Sequence, residues 1–93
     1  MPTQDHTSGH RQRLRARFLA GGETAMADYE LLELLLFCAK TRSDVKPLAK
    51  NLLKHFKTIG GVLKAEPKEL SLIPDMGEAA IATLKVVQVL CEK

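Results

Sequence analysis

Tryptophan is absent from this 93-residue chain, tyrosine occurs once, at Tyr29, and only 4% of the residues are aromatic. Few platforms therefore exist on which single-stranded bases could stack. Long apolar runs are missing too: the longest extends only from Leu34 to Ala39, far short of the ~20 residues that span a bilayer, and the N-terminus lacks the apolar core of a signal peptide. Nothing points to a membrane, and a cytoplasmic protein is expected. The two cysteines, Cys38 and Cys91, lie in separate apolar runs without ligand spacing and read as small buried hydrophobes in a reducing compartment. No low-complexity tract and no long strand pattern occurs.

What is present suits one small helical domain. Apolar residues make up 45% of the chain, enough for a single core and too little for two. A net charge of +3 is too mild to mark a nucleic-acid binder by itself, but it is unevenly placed. Arg11, Arg13, Arg15 and Arg17 make residues 1–21 basic, and Lys40, Arg42, Lys46, Lys50, Lys54 and Lys57 do the same for 40–57, whereas 22–39 is acidic.

Taken in order, residues 1–7 are polar and aperiodic and read as a flexible tail. Helical spacing begins at Ser8 or Gly9, with Leu14 and Phe18 on one face, and Gly21-Gly22 ends it. The two-residue step of the arginines spreads them around that helix, so some lie over the core rather than forming a comb. His6 and His10 stand four apart without a third ligand, so no metal site is expected. Asp28 reads as the cap of a helix from Tyr29 to Lys40 that is apolar nearly all round, and Glu30, Glu33 and Lys40 mark its water-facing stripe. Ser43 or Asp44 caps the next helix, which tolerates Pro47 in its first turn. Val45, Leu48, Ala49, Leu52, Leu53 and Phe56 form its buried face, and Lys46, Lys50, Lys54 and Lys57 run beside it. His55 suits that helix's C-terminal end electrostatically. Thr58 caps a short helix through Ala65.

The most informative stretch runs from Leu70 to Leu84. Pro67 opens a helix that turns Leu70 and Ile73 inward, Pro74 ends it, and the next helix starts at Gly77 and continues to about Glu92. That pattern reads as a helix-hairpin-helix. At the start of the second helix the first N–H groups lack intrahelical partners and the macrodipole is positive, so a phosphate is the natural ligand. The candidate contact comprises Ile73, Pro74, Asp75, Met76, Gly77, Glu78 and Ala79, extended by Lys46, Lys50 and Lys54 or by Arg11, Arg13 and Arg17. Where hairpins of this kind usually carry two glycines and, four positions on, an alanine, this chain has Asp75, Gly77 and Ile81. The Asp75 carboxylate either repels a phosphate or caps the following helix. In that last helix Ala80, Leu84, Val87 and Cys91 share one face, and Val86, Val89 and Leu90 are surplus to it.

Gly9-His10-Arg11-x-Arg13-Leu14-x-x-Arg17-Phe18, Asp28-Tyr29-Glu30-Leu31-Leu32-Glu33, Arg42-x-Asp44-Val45-Lys46-Pro47-Leu48-Ala49 and the hairpin after Pro67 together resemble the N-terminal domain of bacterial RadC-like proteins. The resemblance implies an all-α bundle of five to six short helices over residues 8–93, of helix-hairpin-helix type and linked to DNA repair. In that family a C-terminal JAB/MPN metalloprotease-type domain follows, and none of its zinc-binding stretch occurs here; the chain ends while still helical, as an excised domain would. Two functions follow as expectations. The first is a non-catalytic, sequence-independent DNA-binding module without cofactor. The alternative is a docking module that positions the metalloprotease domain or its substrate.

Overall fold

In a computed structural model the backbone is described for residues 6–93 and the side chains from Gly9 onward. The tail expected over residues 1–7 therefore lies partly outside the described residues; what is described begins in a helix at His6. Six helices follow one another without a strand among the described residues: α1 (His6–Gly21), α2 (Asp28–Leu36), α3 (Lys46–Phe56), α4 (Ile59–Lys64), α5 (Pro67–Leu70) and α6 (Glu78–Glu92). The all-α class is as the spacing predicts.

One core joins them. Leu14 of α1, Leu32 and Leu36 of α2, Val45 before α3, Leu48, Ala49 and Leu52 of α3, Val62 of α4, Leu70, Ile73 and Met76 around α5, and Ala80 and Leu84 of α6 are all buried together. Fully burying a side chain of this size stabilises by about 1.5–3 kcal/mol, so even the single-turn α5 is anchored, through Leu70. Local chemistry sets several boundaries as expected. The Thr58 hydroxyl accepts the Gly61 N–H at 2.9 Å and starts α4, and the Asp44 carboxylate accepts the Lys46 N–H at 3.0 Å just ahead of α3. Lys57, with φ +79° and ψ −45°, ends α3 in a γ-turn that the Thr58 N–H closes on Phe56 C=O at 3.0 Å.

Four expectations need correction. Cys38 and Cys91 are both exposed: α2 stops at Leu36, so Cys38 falls in the turn beyond it, and Cys91 lies in the last turn of α6, past the core. Glu33, expected on a water-facing stripe, is fully buried, because α1 lies over that stripe and brings His10 Nε2 to 3.0 Å from Glu33 Oε1. Asp28 is the first residue of α2 rather than its cap; Ala27 holds the cap position, and its N–H donates to Glu30 Oε1 at 2.9 Å. Phe18, expected on one face with Leu14, does not join it in the core: Leu14 is buried, and Phe18 is exposed near the end of α1.

Glu30 also pairs with Arg17. The Ala27 N–H first, and the Arg17 guanidinium second, hold the Glu30 carboxyl below its ordinary value of 4.5. A carboxyl lowered on folding stabilises the native state fully above that ordinary value, and the stabilisation disappears as pH falls through the lowered folded-state pKa. Glu30→Gln is therefore expected to flatten the acid limb of the stability–pH curve while leaving its shape unchanged between about pH 6 and 8, measured by urea denaturation.

Candidate nucleic-acid interface

The chain after α5 turns through residues 71–77 and enters α6. Ile73 and Met76 are buried and fix the turn to the core, while Pro74, Asp75, Gly77, Glu78 and Ala79 are exposed. Successive 3₁₀-like bonds tighten it: the Ile73 N–H donates to Leu70 C=O at 3.1 Å and the Met76 N–H to Ile73 C=O at 3.2 Å.

The backbone demand falls at an unexpected residue. Asp75 has φ +71°, the left-handed region, and aspartate is among the few side chains that enter it at modest cost. Gly77 has φ −58° and ψ 172°, a conformation open to any residue, and a Cβ there would meet nothing within 4 Å. The left-handed position of this turn is thus Asp75 rather than a glycine, and its side chain does not cap α6. No other side chain caps α6. The first bond into the helix from outside is the Ile81 N–H to Gly77 C=O, at 3.1 Å, so the amides preceding Ile81 open the helix at an exposed, uncapped end.

Beside this end lies an open hollow of about 850 Å³ that Lys40 shares with Leu72, Pro74, Asp75, Gly77, Glu78 and neighbouring residues. Lys40 stands where α2 gives way to the loop before α3, far from the α5–α6 turn in sequence, so no local pattern marks it. The charges at the mouth are thus one lysine against the carboxylates of Asp75 and Glu78.

The remaining candidate residues are scattered. Arg11 is only 7% exposed; its guanidinium donates to Ser43 C=O at 2.6 Å and Phe37 C=O at 3.4 Å and lies 4.4 Å from the Phe37 ring centroid. It is occupied inside the fold. Arg17 is engaged with Glu30 and also reaches Met26 Sδ at 3.8 Å. Arg13 and Lys54 are exposed, Lys46 is half-buried and helps lower the Glu30 carboxyl, and Lys50 sits 4.8 Å over the Tyr29 ring. Lys46 and Lys50 therefore flank the N-terminal end of α2, and Lys40 and the α5–α6 turn lie at its other end, about 14 Å of helix away. The α5–α6 turn and the α3 lysines are two separate surfaces rather than one patch.

Two further polar features escaped the sequence. His10 and Glu33 are paired, with Glu33 Oε2 and Arg11 Nε left buried without a protein partner. Lys85 Nζ, on α6, donates to Leu63 C=O at 2.9 Å and Ala65 C=O at 2.7 Å, closing the end of α4. Lys85→Met is expected to cost about 1–2 kcal/mol of unfolding free energy, the scale of removing a charged donor's bonds at a helix end; chemical denaturation measures it. Among the described residues no three His, Cys, Asp or Glu side chains gather as metal ligands, and no helix is long and apolar enough to cross a membrane.

A family model described as UPF0758 N-terminal matches residues 7–82. The chain belongs to the UPF0758 N-terminal family. Among similar proteins is a "UPF0758 protein" of Rhodobacter capsulatus, 51% identical over 80 residues, which are 86% of this chain and 37% of the relative. A second "UPF0758 protein", from Ruegeria pomeroyi, is 49% identical over 79 residues, covering 85% of this chain and 35% of the relative. The UPF0758 N-terminal domain thus spans little more than a third of these relatives' length. No solved structure gives a significant match. The family match takes in α1 through the first turn of α6, with the α5–α6 turn between.

Proposed function

We propose that this domain is a non-catalytic, sequence-independent DNA-binding module, acting in the cytoplasm as the helical part of a RadC-like, repair-associated protein. The observation that carries the reading is the exposed, uncapped start of α6, where backbone amides and the helix dipole can hold one phosphate. The surrounding sequence fits a helix-hairpin-helix in which Asp75 supplies the left-handed turn and Lys40 the nearby positive charge. Exposed Lys50 and Lys54 on α3 and Arg13 on α1 supply further, separate phosphate contacts. Arg11 takes no part, being buried.

Asp75 and Glu78 keep the affinity low. No base-reading element is called for, because phosphate contacts position a protein without reporting sequence. With about three phosphates neutralised, a fourfold rise in salt should weaken binding roughly fortyfold. Fluorescence anisotropy on duplex and branched DNA at two salt concentrations tests this; salt-independent or absent binding contradicts it. Lys50→Ala with Lys54→Ala is expected to reduce the logarithmic salt slope by up to about 1.8, near 0.9 for each phosphate no longer neutralised, with little change in unfolding midpoint. The RadC resemblance adds a second body to the proposal, a C-terminal JAB/MPN metalloprotease-type domain on the same polypeptide.

A further inference from the structure

α6 is apolar on two sides. Ala80 and Leu84 face the core, yet Val86, Val89 and Leu90 are 54%, 51% and 66% exposed and line, with Ala82, a hollow of about 370 Å³. Their spacing, 82, 86, 89 and 90, is a helical stripe. A helix apolar on opposite sides belongs between two bodies. Lys85, the charged residue lining that hollow, has its ammonium group committed to the Leu63 and Ala65 carbonyls, so the stripe offers no free charge for recognising a polar partner.

Size decides what covers it. Stable interfaces between separate chains use roughly 20–30 residues a side, and this stripe presents four. A second copy of the chain would find too little to hold. A segment of the same polypeptide needs far less, because a tether raises its effective concentration to roughly the millimolar range, and the relatives keep 63% and 65% of their length outside the matched region.

We infer that the outward stripe of α6 is the seat of a further, uncharged apolar part of the same polypeptide, making α6 the wall shared by two bodies. This rests on the two-body part of the reading above and is independent of the DNA contact. Methyl-labelled NMR on the full-length encoded polypeptide tests it. The Val86, Val89 and Leu90 methyls are expected to be shielded from a paramagnetic solvent probe in the wild type, and Val89→Glu to expose those of Val86 and Leu90 and let the two bodies tumble separately, shortening the correlation time by about a third or more. Unchanged Leu52 and Leu84 methyl shifts in the variant confirm that the domain itself stays folded; should those shifts collapse, Val89→Gln gives the same readout without a charge. Solvent-exposed methyls in the full-length protein overturn the inference, as does an encoded polypeptide ending at Lys93. A correlation time that grows with concentration overturns it in favour of a second copy. DNA titrations of wild type and Val89→Glu separate the two readings: equal affinity is expected, and an affinity that disappears only in the variant places the stripe in the DNA contact instead.

Discussion

Arg11→Ala is expected to lower the unfolding free energy by about 2–4 kcal/mol, the range for removing a buried charged group that satisfies backbone carbonyls. The guanidinium bridges Phe37 C=O at the end of α2 to Ser43 C=O in the loop before α3, and it covers the Phe37 ring at 4.4 Å. Alanine leaves both carbonyls short of a donor and opens space beside an aromatic ring. A domain this size holds only about 5–10 kcal/mol in total, so the melting temperature should fall by roughly 10–20 °C. Arg11→Lys should recover little, since an ammonium lacks the planar fork that spans two acceptors. Arg13→Ala, at an exposed position on the same helix, should stay within about 0.5 kcal/mol of wild type. Differential scanning calorimetry separates these outcomes, and equal destabilisation at 11 and 13 would contradict the buried-bridge account. A DNA-binding assay on Arg11→Ala alone would mislead, because an unfolded domain would pass for a folded one unable to bind.

Gly77→Asp is expected to weaken phosphate binding by tenfold or more without harming the fold. The site has room, since a Cβ at Gly77 meets nothing within 4 Å, and φ −58° suits any residue. An aspartate at the cap position would accept the free amides of α6 and add a negative charge beside the proposed phosphate. Stability should rise by a few tenths of a kcal/mol, as aspartate caps better than glycine and restricts the unfolded chain. Asp75→Asn makes the opposite test. Asparagine tolerates the left-handed region equally well, and removing one charge about 5 Å from a phosphate is worth about 0.8 kcal/mol in water, a three- to fourfold gain in affinity that shrinks with salt. Binding that ignores both changes would locate the phosphate elsewhere.

The parts of this fold that the sequence displays are those decided within a few residues. The α3 face of Leu48, Ala49 and Leu52 follows from spacing alone, as do the Thr58 cap and the Pro67 start. The parts it conceals depend on groups far along the chain. Glu33 reads as surface on an otherwise apolar helix because its partner His10 lies 23 residues away on α1. Arg11 reads as one of four basic side chains because Phe37 and Ser43 lie 26 and 32 residues away. Cys38 reads as core because α2 is expected to continue past Leu36, where instead the chain turns. At the turn between α5 and α6 the spacing gives the permissive backbone to Gly77, whereas the left-handed residue is Asp75, a side chain that tolerates that region.

Amide chemical-shift mapping of the ¹⁵N-labelled domain with a short duplex tests the central claim most directly. The amides of Gly77, Glu78 and Ala79 should move together on DNA addition, with smaller changes at Lys40 and along α3, and should return as salt is raised. Shifts that spare the start of α6, or that persist at high salt, would contradict a phosphate held by its free amides.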